Sequence, residues 1–198
     1  MFDAADDRLV VVNANLALEE EPAPELAVAD DATGEQLEAE AASAYRSMAE
    51  AAQAAGVELN LVTGWQDADA RTAAYETRLT AYSAENSRLS AEEAADHTAS
   101  LQPAASTSEQ GTGYCADILS PDCTERSEAL AETRAYEWLT AYAADYGFIL
   151  RWPEERQSAT GMVYAPWHWR YVGVENARAI RESGLSLEEF LALERAKQ

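Results

Sequence analysis

The chain is poor in basic residues. It has 14 Lys and Arg against 36 Asp and Glu, a formal net charge of -22, and its lone lysine is Lys197. Nucleic-acid binding needs clustered cations to neutralise phosphate, and docking on anionic lipid needs the same, so the balance argues against both. The acidity by itself reads as solubility. No apolar run approaches the length of a membrane span, and the first residues are acidic where a signal peptide would be basic. The chain therefore reads as cytosolic, or as one from which a leader has been removed. Cysteine is scarce too: Cys115 and Cys123 lie close together, and a disulfide or two free thiols fit equally. No internal repeat and no linker divides the chain. What is present suffices for one domain with a real core, since 47% of the 198 residues are hydrophobic.

Periodicity gives the elements. Leu9–Asn13 is a β-branched run suited to a strand, and Leu16–Asp31, with acids, Pro22 and Pro24, reads as an extended connection. Leu37, Ala41, Ala44, Tyr45, Met48 and Ala52 form one apolar helical stripe that Gly56 terminates. Val57–Thr63 alternates as a strand, and Asp67–Ser83 is helical again. Ser90–Glu93 is a capping box opening a helix to about Ala99; these alanine-rich helices are expected at the periphery. Pro103–Gly113 is a loop and Tyr114–Leu119 a strand, followed by a turn at Ser120–Asp122. Glu128–Tyr146 reads as an amphipathic helix stopped by Gly147, and Phe148–Trp152 and His168–Val172 as strands. Two short helices, Glu175–Ser183 and Ser186–Ala196, close the chain. Helices and strands mix without a regular βαβ rhythm, which predicts an α+β fold.

The densest stretch is Tyr164–Gly173, Y-A-P-W-H-W-R-Y-V-G. It holds one of two histidines and two of five tryptophans. Alone, a histidine between tryptophans reads as a packed structural residue. A second segment, Ser108-Glu109-Gln110-Gly111-Thr112-Gly113-Tyr114-Cys115-Ala116-Asp117, changes that reading. Together the two resemble the VanY-like D-alanyl-D-alanine carboxypeptidases, zinc peptidases related to VanX and to the Hedgehog N-terminal domain. That family carries Ser-x-His-x-x-Gly-x-x-x-Asp and later Glu-Pro-Trp-His-x-Arg-Tyr-Val-Gly. Ser108, Gly113 and Asp117 match the first pattern, and Pro166-Trp167-His168 with Arg170-Tyr171-Val172-Gly173 match the second. Tyr146–Pro153 (Y-G-F-I-L-R-W-P) also resembles the family's segment almost letter for letter, and Leu9–Leu26 is similar to the family's N-terminal Val-Asn…Pro-Glu-Leu region. The resemblance covers nearly the whole chain. It implies a single domain over residues 1–198, with 1–31 as strand and arm and 32–198 as core. It also implies a small, mostly antiparallel sheet flanked by helices, and an extracytoplasmic location.

A hydrolytic zinc site uses three protein ligands and leaves one position for water, whose proton a nearby carboxylate shuttles. By the resemblance, the ligand positions are 110, 117 and 168, the base position is 165, and an arginine in a Gly-Tyr-Arg-Ser turn contacts substrate. Here the first ligand position is Gln110, a neutral amide, and the base position is Ala165, which moves no proton. The turn is Gly64-Trp65-Gln66-Asp67, with Gln66 in place of the arginine; Arg71, one helical turn on, is a replacement cation with nothing local to aim it. Only Asp117 and His168 remain of the metal set. Loss of a general base alone costs about 10²–10⁴ in rate. His97 falls in a helical insertion and reads as a surface residue.

These departures predict a member without peptidase activity and with no bound cofactor, where active relatives use zinc. Its groove, with Ser108, Trp167, Arg170, Gln66 and Arg71, would bind a peptidoglycan stem peptide or a protein partner, since aromatics and arginine serve binding without catalysis. One alternative is a residual zinc carboxypeptidase with Gln110 as a weak ligand. Another is an acidic structural or interaction module. A further metal reading joins Cys115, on the same strand face as Asp117, to Asp117 and His168; its counterpart is a small buried cysteine.

Overall fold

The computed structural model describes residues 6–13 and 15–197. Its centre is a four-stranded antiparallel sheet of order β3-β4-β6-β5. The strands are β3 (Asn60–Thr63), β4 (Cys115–Leu119), β5 (Phe148–Leu150) and β6 (His168–Tyr171). β4 and β6 lie side by side in the middle, paired Cys115↔Arg170, Ala116↔Trp169 and Asp117↔His168. Side chains alternate across a sheet, so this register sorts the residues by chemistry. Ala116, Ile118, Trp169 and Tyr171 enter the main apolar core with Leu37, Tyr45, Met48, Leu139 and Phe148. Cys115, Asp117, His168 and Arg170 share the opposite face, and all four are buried. A fully buried central strand pair is thus apolar below and charged above.

Helix α1 (Ala39–Ala54) covers the apolar face through the predicted stripe of Ala41, Tyr45, Met48 and Ala52. α2 (Ala68–Glu85) and α3 (Ala91–Leu101) pack mainly on each other, and few of their side chains are buried, as alanine-rich peripheral helices should. The capping box at Ser90 and Glu93 opens α3 as expected. α4 (Arg134–Tyr142) and two 3₁₀ segments, Glu128–Glu132 and Ala143–Tyr146, replace the single helix expected over Glu128–Tyr146. Thr133 resets the backbone between the first two, extended at ψ 155° and capping Tyr136. A short α5 (Gln157–Thr160) precedes the Pro166 turn, and α6 (Val174–Ser183) and α7 (Leu187–Ala196) end the chain.

Two expectations near the N-terminus need correction. Leu9–Asn13 is no ladder strand: a 3₁₀ turn at Asp7–Leu9 is followed by extended backbone with one isolated bridge, Asn13↔Leu16. The carbonyls of Arg8 and Val10 accept from the Arg170 guanidinium at 3.1 and 3.2 Å, so a side chain takes the place of a neighbouring strand. Leu16–Asp31 is not wholly a connection either. It contains β1 (Leu26–Val28), which pairs with β2 (Gln36–Glu38) in a separate hairpin, so Leu37 belongs to a strand and not to α1. Gly64 lets this hairpin approach β3: a Cβ there would lie 2.2 Å from the Gln36 carbonyl oxygen.

Candidate functional site

The charged face of β4 and β6 carries a continuous chain of hydrogen-bonded ions. Strand register sets Asp117 opposite His168, and Asp117 Oδ1 lies 2.7 Å from His168 Nδ1. The other ring nitrogen, Nε2, is 2.9 Å from Oε1 of Glu109, so both imidazole nitrogens face carboxylates. Trp152 stacks on the ring with centroids 4.0 Å apart and 12° between planes. Glu109 Oε2 accepts from Arg151 Nε at 3.1 Å and from Arg170 Nη1 at 3.0 Å. Arg151 then makes a bidentate pair with Glu188 of α7 at 2.9 and 2.7 Å. At the other end Asp117 Oδ2 accepts from Arg126 Nε at 2.7 Å, and Arg126 also bonds Thr63.

Burial and charge act against each other here. Burial pushes the Glu109 carboxyl up, but Arg151, Arg170 and His168 outweigh it and hold Glu109 well below the usual carboxylate range. Burial raises Asp117 as well; its bonds to His168 and Arg126 reverse the sign and lower it. Burial would depress His168, yet Asp117, Cys115 and Glu109 around it hold it well above its ordinary value, as a cation. Burial pushes the Cys115 thiol up, so it stays neutral.

The remaining residues fall into place around this chain. The Gln110 amide oxygen accepts from Ser108 Oγ at 3.3 Å, and both residues are buried in the loop before β4. Ala165 is buried in an apolar cluster with Trp152 and Met162, flanked by Trp167. Gln66 touches the same loop through its backbone, its N–H donating to the Gln110 carbonyl at 3.3 Å. Arg71, expected as an open substrate contact, is fully buried. It donates to Glu21 and to the carbonyls of Ala105, Ser108, Gln66 and Asp67, and so pins the loop to α2 and the arm. Arg170 is likewise fully buried, its Nη1 also 3.7 Å from Cys115 Sγ, and is not an open groove residue. Trp167 is half-buried and borders open space. His97 is exposed and stacked on Tyr82.

Cys115 and Cys123 are both free thiols. The set expected around a metal was Cys115, Asp117 and His168. Among the described residues, the group whose ligand atoms converge within 4.8 Å is instead Glu109, Cys115 and His168. Glu109, Arg151 and Arg126 were missed as site residues. One signal could have found the first: Arg151 and Arg170 sit in apolar strand segments and need a buried carboxylate, and Glu109 lies within the loop motif itself.

Comparison with known proteins agrees with the fold and the motifs. A family model described as VanY: D-alanyl-D-alanine carboxypeptidase matches residues 34–174. The chain is 33% identical over 152 residues to the putative carboxypeptidase YodJ of Bacillus subtilis (strain 168), covering 76% of this chain and 52% of that protein. It thus spans about half the length of the curated relatives it matches. Among solved structures it is similar to VanYB in complex with D-alanine-D-alanine, at TM-score 0.81 and 26% identity over 93% of this chain and 97% of that one. An E175A mutant of the vancomycin resistance D,D-pentapeptidase VanY from a VanB-type resistance cassette, solved in complex with Zn(II), is similar at TM-score 0.81 and 26% identity over 93% and 99% of the two chains. The LdcB LD-carboxypeptidase, a structure described as revealing peptidoglycan recognition, is similar at TM-score 0.78 and 29% identity, covering 93% and 86% of the two chains.

Proposed function

The chain belongs to the VanY family of D-alanyl-D-alanine carboxypeptidases, and from that premise we propose that it has lost peptidase activity and keeps its groove to bind a peptidoglycan stem peptide outside the cytoplasm. The observation that carries this reading is the state of His168. Both of its nitrogens lie against carboxylates, and both oxygens of Asp117 are already engaged. The third ligand position offers the Gln110 amide, which is held by Ser108. This donor set does not fit a catalytic zinc, which needs three available ligands and a water. To enter, a dication would have to displace Arg126 from Asp117 or Glu109 from His168. The Glu109–His168 pair is buried on both sides, and breaking a buried pair costs about 3–5 kcal/mol. At the base position Ala165 sits in apolar surroundings, and its methyl side chain moves no proton.

A residual metal-dependent peptidase is the second reading, favoured by the convergence of Glu109, Cys115 and His168. Against it, Arg170 donates to both Glu109 and Cys115, placing a fixed positive charge where a metal would need ligands. Titrating the chain with a peptide ending in D-Ala-D-Ala, with chelator present, tests the binding role; saturable heat is expected. Absence of binding at millimolar peptide would remove it. Zinc-dependent release of D-alanine from the same peptide would restore the enzymatic reading.

A further inference from the structure

A cavity of about 620 Å³ opens along the N-terminal arm, and none of Gln110, Asp117, Ala165 and His168 lines it. Much of its lining is apolar. Val10 and Leu16 are 42% and 51% exposed, and Pro22, Pro24 and Tyr114 line the same space. The charged part of the lining has one sign: exposed Asp7, Glu19 and Glu20. Among the described residues no cationic side chain lines the cavity, and none of these three acids makes an ion pair. Burial raises the Tyr114 hydroxyl, and Glu38, Asp7 and Asp6 raise it further against Arg170, so the lining lies in a negative field.

The arm that carries these groups is held in place. The Val10 carbonyl accepts from Arg170 at 3.2 Å, and the Asn13 side chain accepts from the Leu16 N–H at 3.1 Å. The Leu18 N–H donates to the Ser106 carbonyl at 2.7 Å, and the Glu21 carboxylate pairs with buried Arg71. The backbone of residues 19–24 nevertheless forms no hydrogen bond to any described residue. Single apolar side chains on a surface are ordinary. Here they converge with open backbone and carboxylates of one sign on a fixed segment, which lowers the ordering cost of binding. A second copy of this chain does not fit, because a two-fold contact would press one acid-lined cavity against another on chains of net charge -22. The charge complement is cationic, and the apolar lining and open backbone suit an extended chain with side chains of its own.

We propose that this cavity docks an extended segment of a partner protein in which lysine or arginine alternates with aliphatic residues, the cations toward Asp7, Glu19 and Glu20 and the aliphatic groups against Val10 and Leu16. The proposal is independent of the stem-peptide role argued above. Calorimetric titration of the full chain with acetyl-Lys-Val-Lys-Leu-Lys-Val-amide, which has no terminal carboxylate, tests it. Saturable binding of one peptide per chain is expected. Serine in place of the valines and leucine should weaken it at least about 10-fold, and glutamate in place of the lysines should abolish it. Leu16→Ser should cost about 10-fold, and Glu19→Gln with Glu20→Gln about 3–10-fold, with a flatter salt dependence. Glu76→Gln with Glu182→Gln makes the same charge change on exposed positions of α2 and α6 and should leave affinity within about 2-fold. All the substituted side chains are exposed, so the thermal midpoint should not move. No saturable heat, equal affinity for the serine peptide, or equal effects of the two double substitutions would overturn the proposal and leave the stem-peptide role standing. A dimer in sedimentation velocity that Leu16→Ser abolishes would also overturn it, assigning the surface to a second copy.

Discussion

Glu109 holds the interior of the site together. A carboxylate 1% exposed touches two arginines and a histidine, each of them nearly or fully buried. Glu109→Gln leaves three cations facing a neutral amide. It is expected to lower unfolding free energy by about 3–5 kcal/mol, read as a shift in urea midpoint at constant slope. Ala165 makes the opposite point. Its small side chain is what Trp152 and Met162 close around, so Ala165→Glu should destabilise by about 1–3 kcal/mol through overpacking and a desolvated carboxyl. At this scale the sequence was partly legible. Motif positions picked out Asp117, His168, Gln110 and Ala165, and the structure brings the first two into direct contact. Glu109 was not legible, because its role depends on Arg151 and Arg170, which lie 42 and 61 residues away in sequence.

The elements with strong periodicity were easiest to read. The stripe of α1 and the capping box of α3 formed where local propensity and burial agree, while the matching box at Ser186 and Glu189 of α7 is seen only in the structure. The three-residue strands of the β1–β2 hairpin carry too few positions to show alternation, and Pro22 and Pro24 upstream read as a breaker. The Leu9–Asn13 run has the composition of a strand but meets a guanidinium where a ladder partner would be. α7 matters to the site because it carries Glu188 to Arg151. Its N-cap Ser186 is buried and bonded reciprocally with Glu189. Ser186→Ala should therefore cost about 0.5–2 kcal/mol, with the loss visible in a thermal melt.

On the scale of the whole molecule, surface charge and the buried ion chain predict opposite responses to acid. With a formal net charge of -22, protonating surface carboxylates relieves self-repulsion and should stabilise the fold. Glu109 and Asp117 are held below their ordinary values, so their contribution is complete above the unfolded carboxylate range and is lost as pH falls through their folded values. His168, held above its ordinary value, contributes fully below about 6.5 and loses that contribution only as pH rises through its folded value. Melting temperature is thus expected to rise slightly on mild acidification and then drop below about pH 4, the drop shrinking in Glu109→Gln. A monotonic rise to pH 3 would show that the ion chain contributes little.

All of this depends on the charged face of β4 and β6 being closed to a metal by its own ion pairs. The direct measurement is zinc content by elemental analysis of the unaltered chain, loaded with excess zinc under reducing conditions and then desalted. Far less than one zinc per chain is expected; one tightly held zinc per chain would contradict a face closed by its own ion pairs.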